Sequence, residues 1–161
     1  MARAWRNLYV FLMVAWFGVM VYYTFILTPT LTRAFPGDFG TIVATLFPGY
    51  FRLGEVLGLV AALAAWMEFR SQRRQPGGPD APGAGWRLAA GLMALALVIV
   101  NREAVLPAAH AARGTAAFGP LHGISMAVNL ATAALALFGG AGGLLAPAAS
   151  RPGRIAGTNR R

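Results

Sequence analysis

The sequence predicts an all-α integral membrane protein, a four-helix bundle with its N- and C-termini in the cytoplasm. Three observations lead there. First, the 161 residues are 57% hydrophobic and only 12% charged, with a mean hydropathy of +0.57, too apolar for a surface that faces water. Second, four segments, at 8–28, 51–69, 86–106 and 121–138, reach the roughly 20 mainly apolar residues that cross a bilayer. Without water in the hydrocarbon region each must pair its own backbone groups, so each is a helix. Third, the arginines sort by connection. Arg3 and Arg6 precede the first helix, Arg70, Arg73, Arg74 and Arg87 flank the middle loop, and Arg151, Arg154, Arg160 and Arg161 lie in the tail. The other two connections hold only Arg33, Arg102 and Arg113. Positive residues stay on the cytoplasmic side, which sets an N-in, C-in topology in the cell (inner) membrane.

The first helix has a basic flank like that of a signal peptide. Its apolar run is too long for one and no small-x-small cleavage site follows, so it is expected to remain as an anchor. Trp5, Trp66 and Trp86 fall at the cytoplasmic helix ends, where an amphipathic ring prefers the headgroup level. From Pro29 to Pro48 runs a long outer connection. Phe35, Phe39, Ile42, Val43, Leu46 and Phe47 make it too apolar for a free loop, which predicts a separate amphipathic helix over 38–47 at the interface or folded on the bundle.

In the second helix, Arg52 and Glu55 stand three apart on one face. Gly54, Gly58, Ala61 and Ala65 form a small-residue stripe that allows close helix packing. The Pro/Gly-rich segment 75–85 reads as a cytoplasmic linker between two helical hairpins. The third helix closes on Asn101, Arg102 and Glu103. Charges at membrane depth pair or face a wet cavity, which predicts cross-pairing of Arg52 with Glu103 and of Arg102 with Glu55. A faint echo links the halves, since Thr28-Pro29 and Leu106-Pro107 end comparable helices.

The fourth helix carries the most informative pattern. At about 100° per residue, His122, Ser125, Met126 and Asn129 share one face. A polar stripe on a membrane helix marks a functional-site candidate. Segment 140–161, rich in Gly, Ala, Pro and Arg, reads as a flexible basic tail.

Several classes are excluded. There is no cysteine, hence no disulfide or thiol chemistry. No P-loop, nucleophile elbow, zinc-peptidase signature or dinucleotide fingerprint occurs, and the chain reads as non-enzymatic. The net charge of +9 comes entirely from arginines placed as topology signals, so the expected partner is the lipid bilayer and not nucleic acid. A homo-oligomer or an accessory role in a larger membrane complex is the further partner reading. No cofactor is expected. Copper and haem b are the alternatives, with His122 and Met126 as the ligands, since imidazole and thioether suit cuprous copper.

Leu46-Phe47-Pro48-Gly49-Tyr50-Phe51 and Phe118-Gly-Pro-Leu-His122-Gly-Ile-Ser125-Met-Ala-Val-Asn129 resemble two elements of the transmembrane protein 205-like family of four-span membrane proteins. The likeness runs to about Gly139, while 101–113 departs from the more charged connection of eukaryotic members. The resemblance implies a four-helix membrane protein with little chemistry and points to Pro48, Tyr50, Phe51, His122, Ser125 and Asn129. Eukaryotic members are linked to drug resistance and membrane trafficking. A looser similarity to copper-resistance D-type proteins supports the copper alternative.

The functional expectation is an outward-facing polar site that binds or helps translocate a small solute or ion. Arg52, Glu55, His122, Ser125 and Asn129 would line it, supported by Pro29, Pro48, Tyr50, Phe51, Arg102 and Glu103.

Overall fold

The computed structural model describes residues 1–74 and 83–144. They form four long helices, each apolar enough to cross a membrane: α1 (Ala2–Ala34), α2 (Phe39–Arg73), α3 (Ala84–Ala111) and α4 (Phe118–Leu144). The helices close a ring in which α1 packs on α2, α2 on α3, α3 on α4 and α4 back on α1. Short connections enforce this up-down-up-down order. Arg3, Arg6, Arg70, Arg73, Arg74 and Arg87 gather at one end of the bundle, and Pro29, Pro48, Pro107 and Pro120 at the other. These are the arginine end and the proline end.

Every helix runs past its expected limits, and each extension has a physical cause. The first helix was expected to stop at Thr28, because proline cannot donate to a helical carbonyl and its ring crowds the preceding turn. Instead α1 widens into a π-helical segment, Tyr22–Leu27, and resumes as α-helix over Thr28–Ala34. The Thr28 N–H donates to the Tyr23 carbonyl, and Thr28 Oγ1 adds a second bond to it at 2.7 Å. The wider turn takes up the backbone that Pro29 cannot serve. α3 repeats the device: Asn101–Val105 is π-helical, Leu106 N–H donates to the Asn101 carbonyl, and the helix continues past Pro107 to Ala111.

The separate amphipathic helix over 38–47 does not form; α2 runs unbroken from Phe39 through Pro48. Aromatic rings bridge the proline, with Phe47 5.7 Å from Tyr50 and 6.1 Å from Phe51, and they hold the two sides in helical register. α4 begins at Phe118 because Pro120 falls in its first turn, where no N–H is needed. It continues to Leu144 through Gly139, one residue past its expected end, and through Gly140 and Gly143, residues expected in the tail. Glycine is a poor helix former in water, but between membrane helices it admits close backbone approach. A Cβ on Gly139 would lie 2.5 Å from Tyr9 Oη, and one on Gly140 3.1 Å from Val14. Of the expected linker, 75–82 lies outside the described residues. Gly83 takes a left-handed φ of 106° and α3 starts at Ala84. The rest of the expected tail, 145–161, is likewise outside them.

The core is unevenly supplied. α1 contributes the bulk, with Tyr9, Met13, Trp16 and Met20 buried. Its neighbours contribute small residues, among them Gly54, Gly58, Ala61 and Ala65 of α2, Ala90, Gly91 and Ala94 of α3, and Ala136 of α4. Lipid tails are as apolar as leucine, so close packing and interhelical hydrogen bonds, rather than water exclusion, hold such a ring.

Candidate functional site

In the proline half of the bundle the polar side chains are paired across helices. Arg102 Nη1 donates to both Glu55 oxygens, at 3.0 and 2.8 Å, tying α3 to α2. The same guanidinium lies 2.7 Å from Glu103. One of the two expected cross-pairs is therefore present. Arg52 is exposed and forms no ion pair among the described residues, and Glu103 goes to its own neighbour. The π-helical turn winds more slowly than an α-turn, which brings adjacent side chains closer than the expected helix allowed.

Asn101 and Ser125 bond reciprocally, Ser125 Oγ donating to Asn101 Oδ1 at 2.8 Å and Asn101 Nδ2 to the Ser125 carbonyl at 3.1 Å. Both are buried, on α3 and α4. Replacing Asn101 by Ala removes both bonds. The expected loss, about 0.6 to about 1.7 kcal/mol for interhelical polar contacts in membranes, is read from reversible unfolding in mixed micelles. Across the ring, Tyr50 Oη of α2 donates to Asn129 Oδ1 of α4 at 2.8 Å. Tyr23, inside the π-helical segment of α1, stacks on Tyr50 with ring centres 4.6 Å apart.

The single polar face expected on α4 is thus divided. Ser125 turns to α3 and Asn129 towards α2, while Met126 is exposed. His122 is also exposed and stacks on Phe118 at 5.5 Å, outside the paired network. A face spanning i to i+7 on a helix clasped from two sides straddles both contacts. Its outermost turn lies beyond them. Pro29 and Pro48 shape the helices, and Phe51 packs in the aromatic cluster beside Tyr50, with ring centres 4.9 Å apart. Among the described residues no three His, Asp or Glu side chains gather as metal ligands.

Two features escaped the sequence reading. One is a groove of about 480 Å³ between α1 and α4, walled by Phe17, Met20, Phe25 and Leu130 and carrying the polar side chains of Thr24 and Asn129. The other is a buried ion pair at the arginine end. Arg87 Nε and Nη2 meet Glu68 Oε2 and Oε1 at 2.8 and 2.5 Å, and Gln72 Nε2 donates to Glu68 Oε1 at 3.1 Å. Arg87 had been grouped with the loop arginines. The signal was the helical face: Glu68 continues the line Ala61, Ala65, and Arg87 continues Gly91, Ala94, Val98. Tyr9 lies beside them, fully buried, its hydroxyl without a partner among the described residues.

No curated protein and no solved structure matches the chain. A family model does match, over residues 11–118, from the first third of α1 through α2 and α3 to the first residue of α4. The match takes in Tyr50, Glu55 and Arg102 and ends before Ser125 and Asn129. Covering well over half of a bundle whose four apolar helices make it a multi-pass membrane protein, it places the chain in the family described as a domain of unknown function (DUF4149).

Proposed function

We propose that this protein is a non-enzymatic membrane protein that binds a small molecule in the groove between α1 and α4. The observation that carries the reading is a pair of polar groups left over in an otherwise apolar groove. Thr28, Thr30 and Thr32 each donate their hydroxyl to a backbone carbonyl, whereas that of Thr24 has no partner among the described residues. Asn129 receives the Tyr50 proton on Oδ1, and its Nδ2 remains without a partner. Polar hydrogens at membrane depth without acceptors are costly, which favours an occupant. A volume of about 480 Å³ falls within the usual range for small-molecule sites.

The binding site is narrower than the five-residue set read from the sequence. Glu55 is engaged by Arg102 and Ser125 by Asn101; Arg52 and His122 lie apart, and only Asn129 carries over. With the arginine end in the cytoplasm of a cell membrane, as the positive-inside rule expects, the groove opens in the outer half of the bilayer. Translocation is the further step of this reading, and the likeness to transmembrane protein 205-like proteins is compatible with it.

Benzophenone serves as the probe, since it dissolves in bilayers and inserts into C–H bonds when irradiated. With the full chain in nanodiscs, adducts should concentrate on peptides carrying residues 17–25 and 126–133. Asn129→Leu should lower that labelling roughly fivefold, the weight of one hydrogen bond of about 1 kcal/mol. Labelling spread over the lipid-exposed residues of all four helices would overturn the reading.

Copper is the second reading, favoured by the thioethers of Met20 and Met126 lining the same groove. Stoichiometric metal after cuprous loading, lost in a Met20→Leu, Met126→Leu variant, is its test.

A further inference from the structure

We infer that the ligand is a lipid-soluble molecule bearing a hydrogen-bond acceptor, and that it enters sideways from the bilayer through the α1–α4 seam while the α2–α3 seam stays shut. This rests on the groove being the binding site. The argument begins with the two hairpins, α1–α2 and α3–α4, which repeat one another. Each first helix has a π-helical segment just ahead of a proline, Pro29 or Pro107. Counted back from that proline, five buried positions coincide: Tyr9, Leu12, Met13, Trp16 and Met20 answer to Arg87, Ala90, Gly91, Ala94 and Val98. In the second helices Gly54, Ala61 and Ala65 answer to Ser125, Thr132 and Ala136.

This repeat makes the two seams between hairpins, α2–α3 and α4–α1, equivalent positions in the ring. Their contents differ. At the arginine end α2–α3 holds the Glu68–Arg87 pair, and the corresponding residues of α4–α1 are Gly139 and Tyr9, in bare contact. In the proline half α2–α3 holds Glu55–Arg102, and the corresponding residues are Met126 and Thr24, which line the groove. One seam is tied by charge at both levels. The other is packed at the arginine end and open in the proline half. The π-helical segment of α1, with its poorer hydrogen bonds, begins at the level of the opening and gives that wall a place to bend.

The groove also states what it takes. No charged side chain lines it, so it offers no counter-charge to an ionic ligand. Its unmatched donors are a hydroxyl and an amide N–H₂, while the amide oxygen already accepts from Tyr50. A ligand that brings an acceptor, a carbonyl or ether oxygen within an apolar body, satisfies them.

The natural absence of cysteine makes the test clean. Val21→Cys with Leu130→Cys places thiols on the two walls of the groove, and Leu59→Cys with Ile99→Cys places them at the equivalent positions of the tied seam. Each pair is bridged by a short bis-methanethiosulfonate reagent in nanodiscs. Bridging the α1–α4 pair before adding benzophenone should reduce site labelling at least about tenfold, bridging after loading should retain the probe, and reduction should reverse both. Bridging α2–α3 should leave labelling unchanged. Competition supplies the acceptor arm. Fluorenone should displace the probe and fluorene, its hydrocarbon counterpart, should not, a difference erased by Asn129→Leu. Equal competition by fluorene would mean that any apolar filler, a lipid tail included, suffices, and the acceptor claim falls. Loss of labelling on bridging α2–α3, or none on bridging α1–α4, would overturn the sideways route. Both outcomes presuppose labelling in the groove, so they are distinct from failure of the binding site itself.

Discussion

Replacing Glu68 by Ala should destabilise the bundle by about 3–5 kcal/mol, because it strands a guanidinium buried between the helices. Arg87 is 1% exposed and directs two of its nitrogens at Glu68, and Glu68 is itself 1% exposed. Once the carboxylate is gone, only helix distortion or water penetration can solvate the arginine, and either one opens the α2–α3 contact. Arg87→Ala should cost a similar amount through the orphaned carboxylate. The informative variant is the double one. Glu68→Met with Arg87→Met leaves no charge behind and fills a comparable volume, so most of the loss should return. Reversible unfolding of all four proteins in mixed micelles decides it. If the double variant is as unstable as the sum of the singles, the pair is not acting as a pair.

Trp16→Ala should lower stability by about 3 kcal/mol, the low end for deleting a buried aromatic, because a lipid reference removes much of the transfer contribution and leaves lost packing. Trp16 is 2% exposed and lies against Gly54 and Gly58. A Cβ on Gly58 would meet its ring at 2.9 Å, and one on Gly54 would meet its indole nitrogen at 3.0 Å. Gly58→Leu alone should therefore destabilise by overpacking, about 1–3 kcal/mol. In the Trp16→Ala background the same leucine falls into the cavity and should restore part of the loss. That opposite sign in two backgrounds, measured as unfolding free energies, separates a fitted contact from general intolerance of change at either position.

These contacts also show how much the sequence disclosed. The four spans were legible because apolar length is a one-dimensional property of the chain. The small stripe on α2 was legible because its spacing is helical. The helix limits were not. Pro29, Pro48, Pro107 and Gly139 read as ends, and a local rule has no access to a widened turn, a bridging aromatic stack or a tyrosine pressed against a glycine. At the site, Asn129 and its supporting Tyr50 were named from the sequence, as was the Arg102–Glu55 pair. His122 and Ser125 were placed beside Asn129 because a helical wheel treats one face as one environment. The ring gives α4 two neighbours and splits that face between them. Thr24 and Thr28 share a helical face in the sequence and read as groups that bond across helices, but Thr28 bonds its own backbone and Thr24 lines the groove. Glu68 and Arg87 are nineteen positions apart across a loop, and only the geometry of the hairpins joins them.

The repeat described for the two hairpins has a consequence for their independence. The first carries a tryptophan, a tyrosine and two methionines where the second carries alanines, a glycine, an arginine and a valine. Two copies of the first would drive two indoles into one space, and two copies of the second would leave that space empty. The halves share a plan but have become complementary in size, as a plug is to its socket. Neither could form a symmetric dimer of itself, and covalent linkage secures the one pairing that fills the middle.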